Sequence, residues 1–210
     1  MSVSTVSAPP PVTGLVPVRI GQPGRPVVIG HAAKIVVAGG FGVGKTTFVS
    51  AVSEIAAITT DVVMTSASIS LDNTALVADK VATTVAMDFG RVSLDTGVVL
   101  YLFATPGQRR FWFMWDDLVR GAIGAVVLTD VRRLSDAFAP IDFFERAQVP
   151  FAVVVNEFDA APTYTDAELR EALAVEETVP ILSCDARRRP GAVAALVAVT
   201  AHALTRRTAT

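Results

Sequence analysis

The sequence predicts an α/β fold with a mostly parallel central sheet and helices on both faces. Uninterrupted apolar runs of strand length, AIGAVVLT at 122–129 and FAVVV at 151–155, are typical of strands that are buried on both faces of a parallel sheet. Segments with helical periodicity separate these runs, and such alternation of strands and helices is the pattern of a doubly wound sheet. In this architecture, ligands bind beyond the carboxyl ends of the strands.

The predicted strands and helices follow one another in a regular order along the chain. The β-rich segment AKIVVA predicts the first strand, and the turn at 95–97 is short enough to join two strands as an antiparallel hairpin. Thr165 is a suitable N-cap for a helix. The predicted strands cover 33–38, 85–94, 98–104, 122–129, 151–155 and 181–182. One predicted helix begins at 46, and the other predicted helices cover 135–147, 166–174 and 192–204.

The N-terminal part of the chain is rich in proline. Because proline removes a backbone donor and blocks helix formation, we predict a disordered tail over residues 1–30 and a single folded domain over residues 31–210. A short edge strand at 16–20 is the alternative interpretation.

The composition excludes several classes of protein. Hydrophobic residues make up 51% of the chain and charged residues 18%, which permits a large core and excludes wholesale disorder. With a net charge of −2, we expect no nucleic-acid partner, and the short basic clusters at 132–133 and 187–189 are expected to be solvated. The single cysteine excludes a disulfide framework. No apolar run predicts a transmembrane segment, so we expect a cytoplasmic protein whose recruitment to a membrane would depend on partners.

A glycine-rich loop follows the first predicted strand. The segment GGFGVGKT matches G-x-x-x-x-G-K-[ST] with its full spacing and opens a helix, which is the context that a phosphate-binding P-loop requires. Glycines let successive N–H groups wrap a phosphate, Lys45 can reach the β- and γ-phosphates and assist the reaction, and the Thr46 hydroxyl can hold Mg²⁺. The predicted phosphate-binding residues are Gly39, Gly40, Phe41, Gly42, Val43, Gly44, Lys45, Thr46 and Thr47.

A second motif ends the hairpin. The segment T-P-G-Q at 105–108 resembles switch II of small Ras-like GTPases, whose glycine amide senses the γ-phosphate and whose glutamine orients the attacking water. By position, this resemblance makes Gly107 the sensor and Gln108 the water-positioning residue. Ala104 stands where the family has an aspartate that faces the metal.

Two further loops resemble the base-binding motifs of the same GTPases. The segment N-E-F-D at 156–159 resembles N-K-x-D, which implies that Asn156 braces the loop, that Phe158 belongs to the site and that the Asp159 carboxylate accepts from guanine. Glu157 departs from the family's lysine. The segment S-C-D-A-R at 183–187 resembles the S-A-K loop of these GTPases. The resemblance implies a base-binding loop formed by Cys184, Asp185 and Ala186, in which the Ala186 amide faces the guanine carbonyl. Cys184 itself is interpreted as a small packed residue.

Switch I and the metal site are predicted before and within the hairpin. Thr84 matches the threonine that binds Mg²⁺ and the γ-phosphate, and the Thr- and Ser-rich segment 58–82 is interpreted as an extended switch segment. Strand alternation places Thr84 and Asp88 on one side of the strand. If that side faces the phosphates, Asp88 can hold a Mg²⁺ water in place of the aspartate that Ala104 replaces.

Taken together, these motifs are similar to those of the MglA-like bacterial GTPases, and most closely to the actinobacterial conservon GTPases, over residues 32–205. The resemblance implies a small-GTPase-like G domain, GTP and GDP as ligands, Mg²⁺ as cofactor, slow GTP hydrolysis in a bacterial signalling system, and a Roadblock/LC7-domain protein as partner.

The segment Phe111–Trp115 predicts an interaction surface beside switch II. At helical spacing, Phe111, Met114 and Trp115 share one face, and Trp112 and Phe113 point away from it. Exposed aromatic side chains of this size usually mark interfaces, although the switch I segment is an alternative cover for them. We expect the Roadblock partner to bind here.

Three functions therefore stay open at the level of the sequence. The first is a slowly hydrolysing GTPase switch, the second is a nucleotide-dependent binding module with negligible hydrolysis, and the third is an ATP-using P-loop enzyme.

Overall fold

The central sheet is mixed and has eight strands in the part of the chain that the structure describes. The computed structural model describes residues 16–20, 28–56, 58–64, 83–94, 98–107 and 109–208. The strands are β1 (Val16–Ile20), β2 (Val28–Ala38), β3 (Ile58–Met64), β4 (Thr83–Ser93), β5 (Val98–Ala104), β6 (Ala122–Thr129), β7 (Phe151–Asn156) and β8 (Ile181–Cys184). They lie in the order β3-β4-β5-β2-β6-β7-β8, and β1 pairs with the first part of β2.

The sheet is parallel where the nucleotide motifs lie. Strands β5, β2, β6, β7 and β8 pair in parallel, so their carboxyl ends meet at one edge. Strand β4 pairs antiparallel with β5, as the hairpin prediction requires, and β3 and β1 add two further antiparallel pairings.

Helices cover both faces of this sheet, which confirms the predicted fold class. Within the described residues, the helices are α1 (Lys45–Val52), α2 (Trp115–Val119), α3 (Phe138–Arg146), α4 (Asp166–Leu173) and α5 (Arg189–Thr208), with the 3₁₀ helices η1 (Arg109–Met114) and η2 (Val131–Ala137). Helices α1 and α5 pack on one face and α3 and α4 on the other, in two separate apolar clusters. Alternation along β2 sends Ile35 and Val37 into the first cluster and Val36 into the second.

Several boundaries differ from the sequence prediction. Residues 16–20 form strand β1, which pairs with β2, so the strand alternative for this segment is the one observed. Part of the predicted switch segment 58–82 is strand β3, which pairs with β4 and ends the sheet. The helix predicted at 135–147 is divided between η2 and α3. Residues 1–15 and 65–82 lie outside the described residues.

The N-cap at Thr165 forms as predicted. Its side chain accepts from the Glu168 N–H, and the Glu168 carboxylate accepts from the Thr165 N–H, which completes a capping box. None of the helices within the described ranges is long and apolar enough to span a bilayer.

Candidate nucleotide-binding site

The glycine-rich loop joins the end of β2 to the start of α1, at the carboxyl edge of the parallel strands. Two of its glycines are required by the backbone. Gly39 has a φ of +148°, and a Cβ there would lie 2.3 Å from the Leu128 carbonyl oxygen. Gly44 has a φ of +102°, and its Cβ would lie 2.7 Å from Nδ2 of Asn156. The loop therefore fits between β6 and β7 only with glycine at these positions.

Lys45 folds back over the loop that precedes it. Its ammonium donates to the carbonyl oxygens of Gly39 at 2.9 Å and Gly40 at 2.8 Å. Burial lowers the pKa of Lys45 from 10.5 to about 8, an effect that the nearby Asp88 carboxylate partly opposes. The site thus holds a cation among neutral acceptors, and an anionic phosphate would stabilise its charged form.

The first residue of α1 after Lys45 contacts β4. Oγ1 of Thr46 donates to Oδ2 of Asp88 at 2.5 Å. Ala104, at the end of β5, is 1% exposed and has no oxygen in its side chain. A hydroxyl beside a carboxylate is a set of hard oxygen ligands and suits Mg²⁺, so the residues present fit this ion. The backbone of Thr84 lies in β4, and its side chain is outside the described residues.

Gly107 lies directly over the phosphate loop. A Cβ at this position would lie 2.8 Å from Nζ of Lys45 and 3.0 Å from Cα of Phe41. The side chain of any other residue would clash with Lys45 and the phosphate loop, which explains why glycine follows Pro106. Gln108 lies outside the described residues, so its predicted role stays a prediction.

Asn156 connects the phosphate loop to the loop after β8. Its side chain is 5% exposed, and its Nδ2 donates to the Val43 carbonyl at 2.9 Å. Its Oδ1 accepts from the Ala186 N–H at 2.9 Å. These bonds join the end of β7 to the phosphate loop and to the loop after β8. The Ala186 amide, expected to face the base, donates to Asn156 in this structure.

The two aspartates of the predicted base site differ in exposure. The Asp159 side chain is 92% exposed, and its carboxylate lies 3.6 Å from Nη2 of Arg187. The Asp185 side chain is only 12% exposed and accepts from Nε and Nη2 of Arg187 at 2.8 and 3.0 Å. These hydrogen bonds lower the pKa of Asp185 to about 2. Asp185 therefore positions Arg187, and Asp159 is the carboxylate that faces outward.

Arg132 packs against the N-E-F-D loop, a contact that the sequence analysis missed. Its guanidinium lies 3.9 Å from the centre of the Phe158 ring and makes two hydrogen bonds to the Asp130 carboxylate. Asp130 is 3% exposed, and the hydrogen bonds from Arg132 lower its pKa. Arg132 and Arg133 are exposed, as the sequence predicts, and both also contact neighbouring loops at the sheet edge. The signal in the sequence was Asp130, which lies two residues before Arg132.

Cys184 belongs to the apolar core beneath the site. It is 4% exposed, and burial raises the pKa of its thiol to about 11, with Glu157 and Asp185 adding to the effect. Its carbonyl accepts from the Glu157 N–H at 2.9 Å. A thiol so protonated does not act as a nucleophile, which agrees with its interpretation as a packed residue.

Comparison with known proteins adds a family to this geometry. A family model described as "Conserved hypothetical ATP binding protein" matches residues 37–206. The chain belongs to this family. Within it, this protein has a P-loop nucleotide-binding domain, because the loop, its lysine and the strand–helix context are all present. No protein with a curated description matches the sequence.

Solved structures show which fold this member of the ATP-binding family has. The G domain of the FeoB iron transporter from T. maritima has 16% sequence identity and a TM-score of 0.59, and the match covers 82% of this chain and 99% of that one. The FeoB G domain from Methanococcus jannaschii has 14% identity and a TM-score of 0.55, over 82% and 98% of the two chains. The fold is therefore that of a GTPase-like G domain.

The aromatic segment after T-P-G-Q is divided between the core and the surface. Phe111 and Trp115 are buried, whereas Phe113 is 52% exposed. Trp112 is half-buried, and its ring centre lies 5.4 Å from that of Trp115. Residues 109–114 form the 3₁₀ helix η1, and α2 begins only at Trp115. The predicted buried face is thus present at Phe111 and Trp115, and Phe113 points away from it.

Proposed function

We propose that this protein is a GTP-binding switch that hydrolyses GTP slowly to GDP and phosphate with Mg²⁺. The observation that carries the proposal is the Asn156 side chain, which bonds both the phosphate loop at Val43 and the S-C-D-A-R loop at Ala186. One buried amide therefore ties the phosphate site to the predicted base site, as a site for a whole nucleotide needs.

Guanine selection is assigned to Asp159. An exposed carboxylate at this loop can accept from guanine N1–H and its 2-amino group, and adenine offers no such pair of donors. Glu157 is an anion and cannot supply the positive charge of the lysine that N-K-x-D has at this position. The Arg132–Phe158 stack beside it provides a cation and an aromatic face at the same loop. Isothermal calorimetry with GTP, GDP and ATP tests the assignment, and equal affinity for ATP and GTP would overturn it.

A second candidate, an ATP-using P-loop enzyme, is favoured by the description of the family as ATP-binding. The same calorimetry decides between the two, since tighter binding of ATP than of GTP supports this second candidate. The third, a binding module with negligible hydrolysis, is favoured by Ala104 and Glu157. Single-turnover phosphate release from bound GTP distinguishes it from a slow GTPase.

Asp88 is proposed to replace the aspartate that is absent at position 104. Its carboxylate meets the Thr46 hydroxyl at the start of α1, so it reaches the place where Thr46 would bind Mg²⁺. A hydroxyl that donates to Asp88 keeps its oxygen lone pairs for the cation. Thr46, Thr84 and Asp88 would hold the ion and its waters, and the ion would neutralise charge on the phosphates.

Hydrolysis is assigned to Gly107 and Gln108 with Lys45. The close approach of Gly107 to Lys45 supports a sensor role, because a γ-phosphate bound by Lys45 would lie beside the Gly107 backbone amide. Gln108 would orient the water. No arginine precedes Thr84, since Thr83 occupies that position. We therefore propose slow intrinsic turnover that a partner accelerates.

The partner is proposed to be a Roadblock/LC7-domain protein, in the manner of the MglA-like and conservon GTPases. A groove of about 510 Å³ lies between Trp112, Trp115 and the α3 residues Phe143 and Arg146. The same two tryptophans line a cavity of about 120 Å³ that reaches Gly107 and the phosphate loop. A protein in the groove would therefore contact side chains that also face the γ-phosphate sensor. We place this switch in the cytoplasm, with membrane recruitment through such partners.

The partner assignment is tested by pull-down of a Roadblock-domain protein with the GTP- and GDP-loaded protein. Phe113→Ser removes an exposed aromatic side chain that follows Trp112 in the chain and should weaken binding, whereas Val197→Ser, at an exposed apolar residue on α5, serves as the matched control. Equal binding of both variants and of both nucleotide states would contradict the assignment.

A further inference from the structure

Helix η2 lies against the outer side of the phosphate loop. A Cβ at Gly40 would lie 2.7 Å from Cβ of Asp136, so the helix and the loop are in direct backbone-to-side-chain contact. Nη2 of Arg133 donates to the Phe41 carbonyl oxygen at 2.7 Å. A Cβ at Gly42 would lie 3.7 Å from the same nitrogen. Arg133 therefore lies at the rim of the phosphate loop.

The backbone of η2 changes direction at Arg133. This residue has a φ of −142° and a ψ of 54°, which are not helical values, whereas the residues on either side continue the 3₁₀ turns. The two neighbouring arginines consequently point to different loops. Arg132 forms an ion pair with Asp130 at 2.8 Å and stacks on the Phe158 ring, whereas Arg133 donates to the Phe41 carbonyl.

The carboxylates near Arg133 hold it only loosely. Its Nε lies 3.9 Å from Asp130 and its Nη1 lies 3.8 Å from Asp136, both close to the limit for an ion pair. The side chain is 48% exposed. A guanidinium in this setting can change partner without leaving a buried charge uncompensated.

Two cations thus bind three successive carbonyl groups of the phosphate loop. Lys45 bonds Gly39 and Gly40, and Arg133 bonds Phe41. Each carbonyl is a neutral acceptor, and hydrogen bonds from a guanidinium to anionic phosphate oxygens are stronger and often bidentate. A phosphate chain on the loop would therefore compete for both cations.

We propose that Arg133 is a phosphate-binding residue of this site, which exchanges the Phe41 carbonyl for oxygens of the nucleotide's phosphate chain. The proposal rests on one part of the proposed function, namely that the phosphate loop binds a polyphosphate. It adds a second cation, from η2, to the lysine that the P-loop motif supplies.

The test measures binding of inorganic tripolyphosphate and of a non-hydrolysable GTP analogue, each with Mg²⁺, by isothermal calorimetry. Arg133→Ala should weaken both about tenfold or more, and Arg133→Lys should lose less because it keeps the charge. Arg133→Gln keeps a donor for the Phe41 carbonyl and removes the charge, so it should bind as weakly as Arg133→Ala. Arg120→Ala, which removes an exposed arginine paired only with Asp117 in the described part of the chain, is the matched control.

Wild-type affinity in Arg133→Gln would overturn the proposal, because Arg133 would then only shape the loop. Absence of tripolyphosphate binding by the wild-type protein would overturn it as well. A wild-type protein that binds tripolyphosphate through Arg133 but prefers ATP to GTP would support this inference while contradicting guanine selection. The inorganic probe therefore separates the two failures.

Discussion

Thr46 and Asp88 are 42 residues apart in the chain, yet the Thr46 hydroxyl donates to the Asp88 carboxylate at 2.5 Å. The contact joins the first turn of α1 to β4, the strand that leads away from the predicted switch I. It places an acidic oxygen next to the residue that P-loop chemistry assigns to Mg²⁺. Position 104, where the resemblance to Ras-like GTPases predicts an aspartate, is a buried alanine.

Asp88→Asn should therefore raise the Mg²⁺ concentration needed for GTP binding, by about tenfold or more, because an amide holds metal-bound water less well than a carboxylate does. Titration of Mg²⁺ into protein with a fluorescent GTP analogue measures the change. GDP binding without Mg²⁺ should stay nearly the same. Asp117→Asn, at an exposed position on α2, is the control, and an unaltered Mg²⁺ requirement in Asp88→Asn would remove Asp88 from the metal site.

Nucleotide affinity should fall as the pH rises through about 8, the lowered pKa of Lys45 in the free site. Phosphate charge raises this pKa on binding, so binding takes up a proton, and the affinity decreases by up to about tenfold per pH unit above the free-site pKa. Calorimetry at that pH in two buffers of different ionisation enthalpy should show uptake of about half a proton. Lys45→Arg, which stays charged, should bind without this dependence. An affinity independent of pH between neutral and alkaline conditions would contradict the prediction.

Asp159→Ala should remove most of the preference for GTP over ATP. Loss of a charge-assisted pair of hydrogen bonds to guanine costs about 2–4 kcal/mol. Competition calorimetry with the two nucleotides measures the ratio of affinities. Glu157→Ala, also exposed and two residues away, should keep the preference. If both variants discriminate as the wild-type protein does, Asp159 does not select the base.

Asn156→Ala should destabilise the protein by about 2–4 kcal/mol, because it leaves the Val43 carbonyl and the Ala186 N–H without their partner in a buried place. Urea unfolding followed by circular dichroism gives the free energy of unfolding. Glu157→Ala should change it by less than about 0.5 kcal/mol. A loss in Asn156→Ala no larger than that of the control would mean that the amide does not hold the loops together.

Gln108→Leu should lower the rate of GTP hydrolysis and leave GTP binding unchanged, since the amide is needed only to orient water. Single-turnover phosphate release measures the rate, and calorimetry with a non-hydrolysable analogue measures binding. Rapid turnover that is undiminished in this variant would refute the assignment of Gln108.

The fold class and the phosphate loop could be predicted from the sequence because each depends on local pattern. Apolar runs bounded by turns locate β6 and β7 at 122–129 and near 151–155, and the structure places them at Ala122–Thr129 and Phe151–Asn156. The spacing of GGFGVGKT requires no knowledge of distant residues. The same holds for the capping box at Thr165. In these cases the interactions that decide the structure are made between residues close in the chain.

The partners of the site residues depended on the tertiary structure. The contacts of Arg133 with Phe41 and of Asn156 with Val43 span 92 and 113 residues, and no local periodicity records them. Parallel strands bring their carboxyl ends to one edge, so the loops after β2, β6, β7 and β8 meet there whatever their separation in sequence. The sequence by itself determined which residue types stand at that edge, and only the packing of the sheet decided that the exposed Arg133 would donate to the Phe41 carbonyl of the phosphate loop.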